Sequence, residues 1–374
     1  MHHPDMRMTS AYSGTGSGYS GYAGHDHEPY TIPSVISPAF VNSSFYQSAN
    51  FNLLTLVDVG DTGEGSVVKA GIIAGLTFLI ITLNVLIFGA LAPALHSHSM
   101  IGYFILSLAG VDLATGVLIA PLSIFPALYG YWPYGPLVCK LTAFLEITLW
   151  AIAVYTLGWI GVDRYLAIRK PSRYETIQTK IRCQCWVVFT WITSIFLCSP
   201  TFFAHNKVSY IGQVQLCILD LHFMLAYSIT LLSLILGPTI CTLCFCYYYV
   251  LKEMAELKRD VKDQEKEALT STTENLYNPT HRMSFVVIVA FALAWLPWFL
   301  LLLCQRVLPF ASAEQAAGWH FGCVWFGISG CAWKFPVYCA MSRRFRRCLA
   351  QFLWSLCLKC RFRKSLEDDS ASID

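Results

Sequence analysis

Charge is what this sequence has least of: only 13% of its 374 residues are Asp, Glu, Lys or Arg, about half the share usual in a soluble domain. A chain so poor in charge cannot cover a water-facing surface, so a soluble globular protein is excluded. Catalytic signatures are missing too. There is no H-E-x-x-H, no G-x-S-x-G and no paired transmembrane carboxylates, which leaves an intramembrane enzyme without machinery. Internal repeats and paired broken spans, the marks of many transporters, are also absent. The first 66 residues contain no apolar core of signal-peptide length, so the first span is expected to act as an uncleaved signal anchor. A net charge of +3 gives no footing for a nucleic-acid partner, and neither a metal nor an organic cofactor is expected.

Apolar length is what the sequence has instead. The chain is 55% hydrophobic with a mean hydropathy of +0.51. Seven mainly apolar runs lie near 67–91, 101–125, 140–163, 184–204, 222–250, 284–307 and 319–341. Each is long enough, at about 1.5 Å per residue, to cross a ~30 Å hydrocarbon layer as a helix. Pro121, Pro200, Pro238, Pro297 and Pro336 fall inside these runs and are tolerated where neighbouring helices satisfy the freed carbonyls. The expected fold is an all-α seven-transmembrane bundle. Residues 1–66 form an extracellular tail, 67–341 the membrane domain, and 342–374 a short amphipathic interfacial helix with a cytoplasmic tail.

Topology follows from where the basic residues sit. Segments 164–183, 251–283 and 343–364 hold six, six and eight Lys or Arg, so twenty of the 26 lie on one side. The positive-inside rule makes that side cytoplasmic and leaves the N-terminus outside; the loop at 92–100, which falls on the same side, carries no Lys or Arg. The Gly/Ser/Tyr-rich stretch from Tyr12 to Gly24 reads as disordered, and Asn42 begins an N-x-S triplet suited to glycosylation. Of fifteen cysteines, most sit in spans or in the C-terminal tail, where a thiol is a small hydrophobe. Cys139, opening the third span, and Cys217, before the fifth, both face the oxidising side and are expected to be bridged. Cys304 and Cys323 are expected to stay unpaired.

The third span ends in Asp163-Arg164-Tyr165, 25 residues or about 37 Å beyond Cys139. Other landmarks follow in order. They are Asn84 in the first span, Ser107 to Leu113 (SLAGVDL) in the second, Trp191 and Pro200 in the fourth, Pro238 in the fifth, Phe291 to Pro297 (FALAWLP) in the sixth, and Pro336-Val337-Tyr338 in the seventh. This ordered set resembles the rhodopsin-like G-protein-coupled receptors, closest to the amine-receptor-like branch and its orphan relatives, over roughly residues 66 to 356. The resemblance implies a plasma-membrane receptor with membrane lipid around it and a heterotrimeric G protein as cytoplasmic partner. Signalling is driven by an extracellular ligand, a small amine in one reading, or is ligand-independent. By the same resemblance Asp163, Arg164 and Tyr165 serve coupling, Trp295 and Pro297 form the pivot with Phe291 and Pro238 packed beside them, and Tyr338 closes the seventh span. A mid-helix Pro removes a backbone hydrogen bond, so a small rotation above it becomes a larger displacement below.

Glu146 is an acid a third of the way down the third span, and charge inside a membrane is costly enough to be functional by default. It precedes Arg164 by 18 residues, the spacing at which amine receptors place the carboxylate that pairs with a ligand ammonium. Trp298, Phe299 and Trp325 offer aromatic faces to a cation, and Thr230 and Ser233 offer hydroxyls. The departures are Glu where amine receptors have Asp, and Ile328 where they have a Tyr. Three roles stay open for Glu146: a ligand anchor, a partner of a group within the protein such as a loop lysine, or a protonated structural group.

Lys334 departs furthest from the family. An opsin-like photoreceptor would carry its retinal lysine ten residues before Tyr338, at Ile328; Lys334 is four before, about 9 Å deeper. In the family the counterpart of Asp112 binds a sodium ion among polar groups, which here become Ala153, Gly330 and Cys331. An intramembrane ion pair between Lys334 and Asp112 is therefore expected in sodium's place. In the alternative register, with Pro336 at the family's proline position, Lys334 points about 100° away. Beyond the seventh span Phe345, Leu349, Phe352 and Leu356 form an apolar stripe behind Arg343 and Arg344. Cys348, Cys357 and Cys360 are palmitoylation candidates there. The acidic, serine-bearing stretch Glu367 to Ser372 is a phosphorylation site or a solvated end.

Overall fold

The structure, a computed structural model, describes residues 63–93, 100–203, 208–219, 225–263, 279–307 and 313–371. Its helices are α1 (Gly63–Leu91), α2 (Ile101–Ala114), α3 (Ile124–Tyr129), α4 (Gly135–Arg169), α5 (Tyr174–Ile177), α6 (Lys180–Phe203), α7 (Leu225–Asp263), α8 (Pro279–Val307), α9 (Ala313–Met341) and α10 (Arg343–Ala371). Seven spans result: α1, α2 running on into α3, α4, α6, α7, α8 and α9. Among the described residues six of them are long and apolar enough to cross a membrane, with mean hydropathy from 1.5 to 2.6. The seventh, α9, has the length at 29 residues, but Trp319, His320, Trp325, Trp333 and Lys334 dilute its apolar character.

The helices overrun the apolar runs, because a helix needs apolar side chains only within lipid and continues on its own hydrogen bonds beyond it. Thus α4 reaches 35 residues and α7 reaches 39. The second span is not uniform. A π turn at Thr115–Ile119 and a 3-10 turn at Ala120–Ser123 separate α2 from α3. Pro121 lies in that break, where its missing N–H interrupts the α ladder.

The third span, α4, is the central post, packed against α2, α6, α7 and α8. Its Leu149, Ile152, Ala153, Leu157 and Ile160 join the main core, while Ala151 and Val154 pack with Leu231 and Ile235 of α7. Before α7 the chain forms an antiparallel hairpin of β1 (Val208–Ile211) and β2 (Leu216–Leu219), with Tyr210 opposite Cys217. Cys217 is disulfide-bonded to Cys139, with the two Cα atoms 5.3 Å apart, while Cys304 and Cys323 are free thiols. The hairpin does not lie flat on the bundle, since Val214 and Leu216 are buried within the main core.

Helix α10 starts straight after Ser342, whose hydroxyl accepts the Phe345 N–H at 3.1 Å. Arg346 donates to the carbonyls of Cys339 and Ala340 and so satisfies the end of α9. Phe345 is buried against Tyr338, and any side chain at Gly89 would collide with the Phe352 ring, which ties α10 to α1. Trp354 and Leu356 remain exposed on the helix. The helix runs to Ala371, so the stretch from Glu367 to Ala371, expected as a tail, is helical. Asn42, the stretch Tyr12 to Gly24 and Ser372 lie outside the described residues.

Candidate functional site

Three polar centres are strung along the bundle. At the far end of α4 from the disulfide, Asp163 and Arg164 are both buried, and the Arg164 guanidinium is folded back onto the neighbouring carboxylate, with Nε at 3.0 Å. Asp163 has two further donors from the connection between α4 and α6: the Tyr174 hydroxyl at 2.8 Å and the Gln178 amide at 3.1 Å. Burial and the adjacent carboxylate hold the Tyr174 phenol well above its ordinary pKa, so it stays protonated and donates. Tyr165 leaves this cluster and packs beside Phe245 and Tyr249 of α7. His281 of α8 and Tyr247 of α7 are buried nearby in the same end of the bundle, and the Tyr247 hydroxyl has no partner among the described residues. Tyr174, Gln178 and His281 were not among the expected site residues. The signal for the first two was an aromatic and an amide four apart, beyond a helix end that presents a buried acid.

In the middle of the bundle Lys334 of α9 donates to both oxygens of Asp112 of α2, at 2.7 and 2.6 Å. Lys334 is 4% exposed and Asp112 1%. Asn84 of α1 donates to the carbonyl of Cys331, one turn before Lys334, at 3.2 Å. Trp191 of α6 donates to Ser107 of α2 at 3.0 Å. A diffusible cation does not fit the Asp112 carboxylate, because the ammonium already occupies both oxygens and leaves the pair neutral. Tyr338 lies four residues beyond Lys334, buried, with its hydroxyl unpartnered among the described residues.

The third centre lies towards the disulfide. Glu146 of α4 is half-buried and has no hydrogen-bond or ionic partner among the described residues. One turn deeper on the same face, Trp150 packs edge-on to Trp295 at 6.3 Å and beside Phe299 at 5.9 Å, forming an aromatic floor. Trp295 lies so close to α9 that a Cβ at Gly327 would come within 2.9 Å of its ring, so that crossing requires glycine. Pro297 follows inside α8, and Phe291 packs against both core clusters.

Other expected ligand contacts are differently engaged. Trp325 is buried, and its indole donates to the Val214 carbonyl of the hairpin at 3.0 Å. Trp298 packs edge-on to His320 of α9. Thr230 and Ser233 are exposed, and the Thr230 hydroxyl turns back onto the Ala226 carbonyl at 2.8 Å, which spends it on its own helix. Behind them the hairpin tip is held by Gln215, in a left-handed backbone conformation at φ 62°, which donates to the Gly212 carbonyl and accepts from Tyr210. Burial pushes the Tyr210 phenol up to about 12, so this donor persists at neutral pH.

A seven-helix membrane bundle, pinned by a disulfide at one end and closed by an acid–arginine pair at the other, defines a transmembrane receptor. The chain belongs to the rhodopsin family of seven-transmembrane receptors, whose family model matches residues 83–333. It is similar to mouse G-protein coupled receptor 52, 27% identical over 303 residues that cover 77% of this chain and 81% of that one. It is also similar to mouse probable G-protein coupled receptor 21, 27% identical over 311 residues, 79% and 86% of the two chains. A more distant likeness is to the bovine alpha-1A adrenergic receptor, 24% identical over 320 residues, 77% and 68% of the two. The protein is therefore a multi-pass receptor of the plasma membrane that signals through G proteins, and not an enzyme.

Proposed function

We propose that this receptor takes a small cationic ligand at Glu146 and passes the signal to a heterotrimeric G protein through Arg164, with the N-terminus outside the cell and the C-terminus inside. The observation that carries the ligand reading is the Glu146 carboxylate, unpartnered among the described residues and set one turn above the floor of Trp150, Trp295 and Phe299. A carboxylate with aromatic faces beside it is what an organic ammonium needs, because charge and ring quadrupole attract it together. A ligand pressing on that floor presses on Trp295, two residues before Pro297 in α8, and so reaches the helix that bounds Arg164. Asp163, Arg164 and Tyr165 form the coupling end. Cys348 and Cys357 of α10, both free thiols, with Cys360 beyond them, are its acylation sites, and Asn42 is its glycan site.

A second reading rests on the hairpin. Val214 and Leu216 occupy the core beneath the mouth and Trp325 is bonded to Val214, so the chain's own loop stands where an external ligand would make contact, and signalling then needs no ligand. Expression of the receptor alone, with cyclic AMP and calcium read before and after a panel of small amines, separates the two. A response to an amine that Glu146→Gln abolishes supports the first reading. High basal signalling unchanged by every amine supports the second.

A further inference from the structure

We infer that Lys334 is a built-in replacement for a diffusible cation, and that this closes the middle of the bundle to sodium. The Lys334 ammonium is 2.6 and 2.7 Å from the two oxygens of Asp112, and both residues are buried. One carboxylate and one ammonium sum to zero, so nothing remains to attract a second cation. A sodium ion about 4 Å from the ammonium would lose roughly a thousandfold in affinity to like-charge repulsion at an effective dielectric of about 20. A covalently held cation also cannot exchange with the bath, so the equilibrium between receptor states loses any dependence on sodium concentration.

The surroundings say what Lys334 displaces. Asn84 Oδ1 and the Tyr338 hydroxyl are buried and without partners among the described residues. Both lie on the turns that flank the pair: Asn84 donates to the carbonyl of Cys331, one turn before Lys334, and Tyr338 stands one turn after it. Remove the ammonium and keep the bulk, as in Lys334→Gln, and a buried carboxylate is left among unused oxygen atoms. That set of hard oxygen donors suits a small alkali cation. The inference therefore includes a latent cation site in the variant that the native chain does not expose. It concerns the bundle alone and does not depend on the ligand reading.

The test is thermal unfolding of the purified full-length receptor in sodium chloride and in choline chloride at equal ionic strength, with no ligand and no G protein. Wild type is expected to melt at the same temperature in both. Lys334→Gln is expected to melt lower than wild type in choline and to recover by at least a few degrees in sodium. The double variant Asp112→Asn with Lys334→Gln should be more stable than the single one in choline and indifferent to sodium. Sodium stabilisation of wild type, or a Lys334→Gln protein that sodium does not stabilise, overturns the proposal. If Lys334→Gln does not survive purification, wild type and the double variant decide: both indifferent to sodium supports it, and a sodium response in either overturns it.

Discussion

The two buried acid–base pairs among the described residues of this receptor are built to opposite ends. Asp163 and Arg164 are neighbours on one helix, and the acid has two other donors, Tyr174 and Gln178, so the arginine can swing away without stranding it. Asp112 and Lys334 are 222 residues apart on different helices, and the ammonium takes both carboxylate oxygens, with no second hydrogen-bond donor to them among the described residues. Breaking the first pair exposes little that is unsatisfied. Breaking the second leaves a charge in the middle of a membrane protein, with α2 and α9 untied. A pair with substitute donors is suited to a moving part, and one without them to a fixed joint.

The largest effect is expected where nothing substitutes. Lys334→Met should destabilise the receptor by ~3 to 5 kcal/mol through the stranded Asp112, and Asp112→Asn made with it should partly rescue. Chemical denaturation of the purified proteins measures both, and additive losses in the double variant would break the comparison. Arg164→Ala should cost the fold much less, about 1 to 2 kcal/mol, since Asp163 keeps two hydrogen bonds. Equal destabilisation by Lys334→Met and Arg164→Ala would show that the spare donors are irrelevant.

A third acid sharpens the contrast from the other side, because Glu146 has no partner at all among the described residues. Glu146→Gln should leave stability and basal signalling nearly unchanged while a cationic agonist loses tenfold or more in potency, about 1.4 kcal/mol. A cationic agonist whose dose–response curve does not move would remove Glu146 from the ligand site. The smallest effect is expected at Tyr174. Tyr174→Phe deletes one substitute donor, so Asp163 holds Arg164 more firmly and maximal signalling should fall by about fivefold, equivalent to ~1 kcal/mol. Unchanged or raised signalling would mean that Tyr174 does not support the released state.

Much of this was legible in the sequence, and the failures have definite physical causes. Apolar run length located the spans because lipid imposes it, and the stripe from Phe345 to Leu356 announced α10 because an interfacial helix must alternate with its period. Lys334 could be placed opposite Asp112 because a buried ammonium needs an anion and the sequence offers few. Thr230 and Ser233 lie on the exposed face of α7. A hydroxyl on a helix can bond its own chain four residues back, as Thr230 does to Ala226, so a polar residue in a span need not face inward. Trp150 escaped notice among eleven tryptophans, though its four-residue step from Glu146 marked it as the floor of the same face. The hairpin tip was hidden because Gln215 adopts a left-handed conformation that non-glycine residues seldom take, held by its bonds to Tyr210 and Gly212 and by the Trp325 indole on Val214.

The most direct test of the account is nucleotide exchange on purified heterotrimeric G proteins of each class, driven by full-length wild-type receptor and by Arg164→Ala matched for folded amount. Wild type is expected to accelerate exchange on at least one class, and Arg164→Ala, still folded and still at the cell surface, is expected not to. Exchange by Arg164→Ala at the wild-type rate would contradict the assignment of coupling to Arg164.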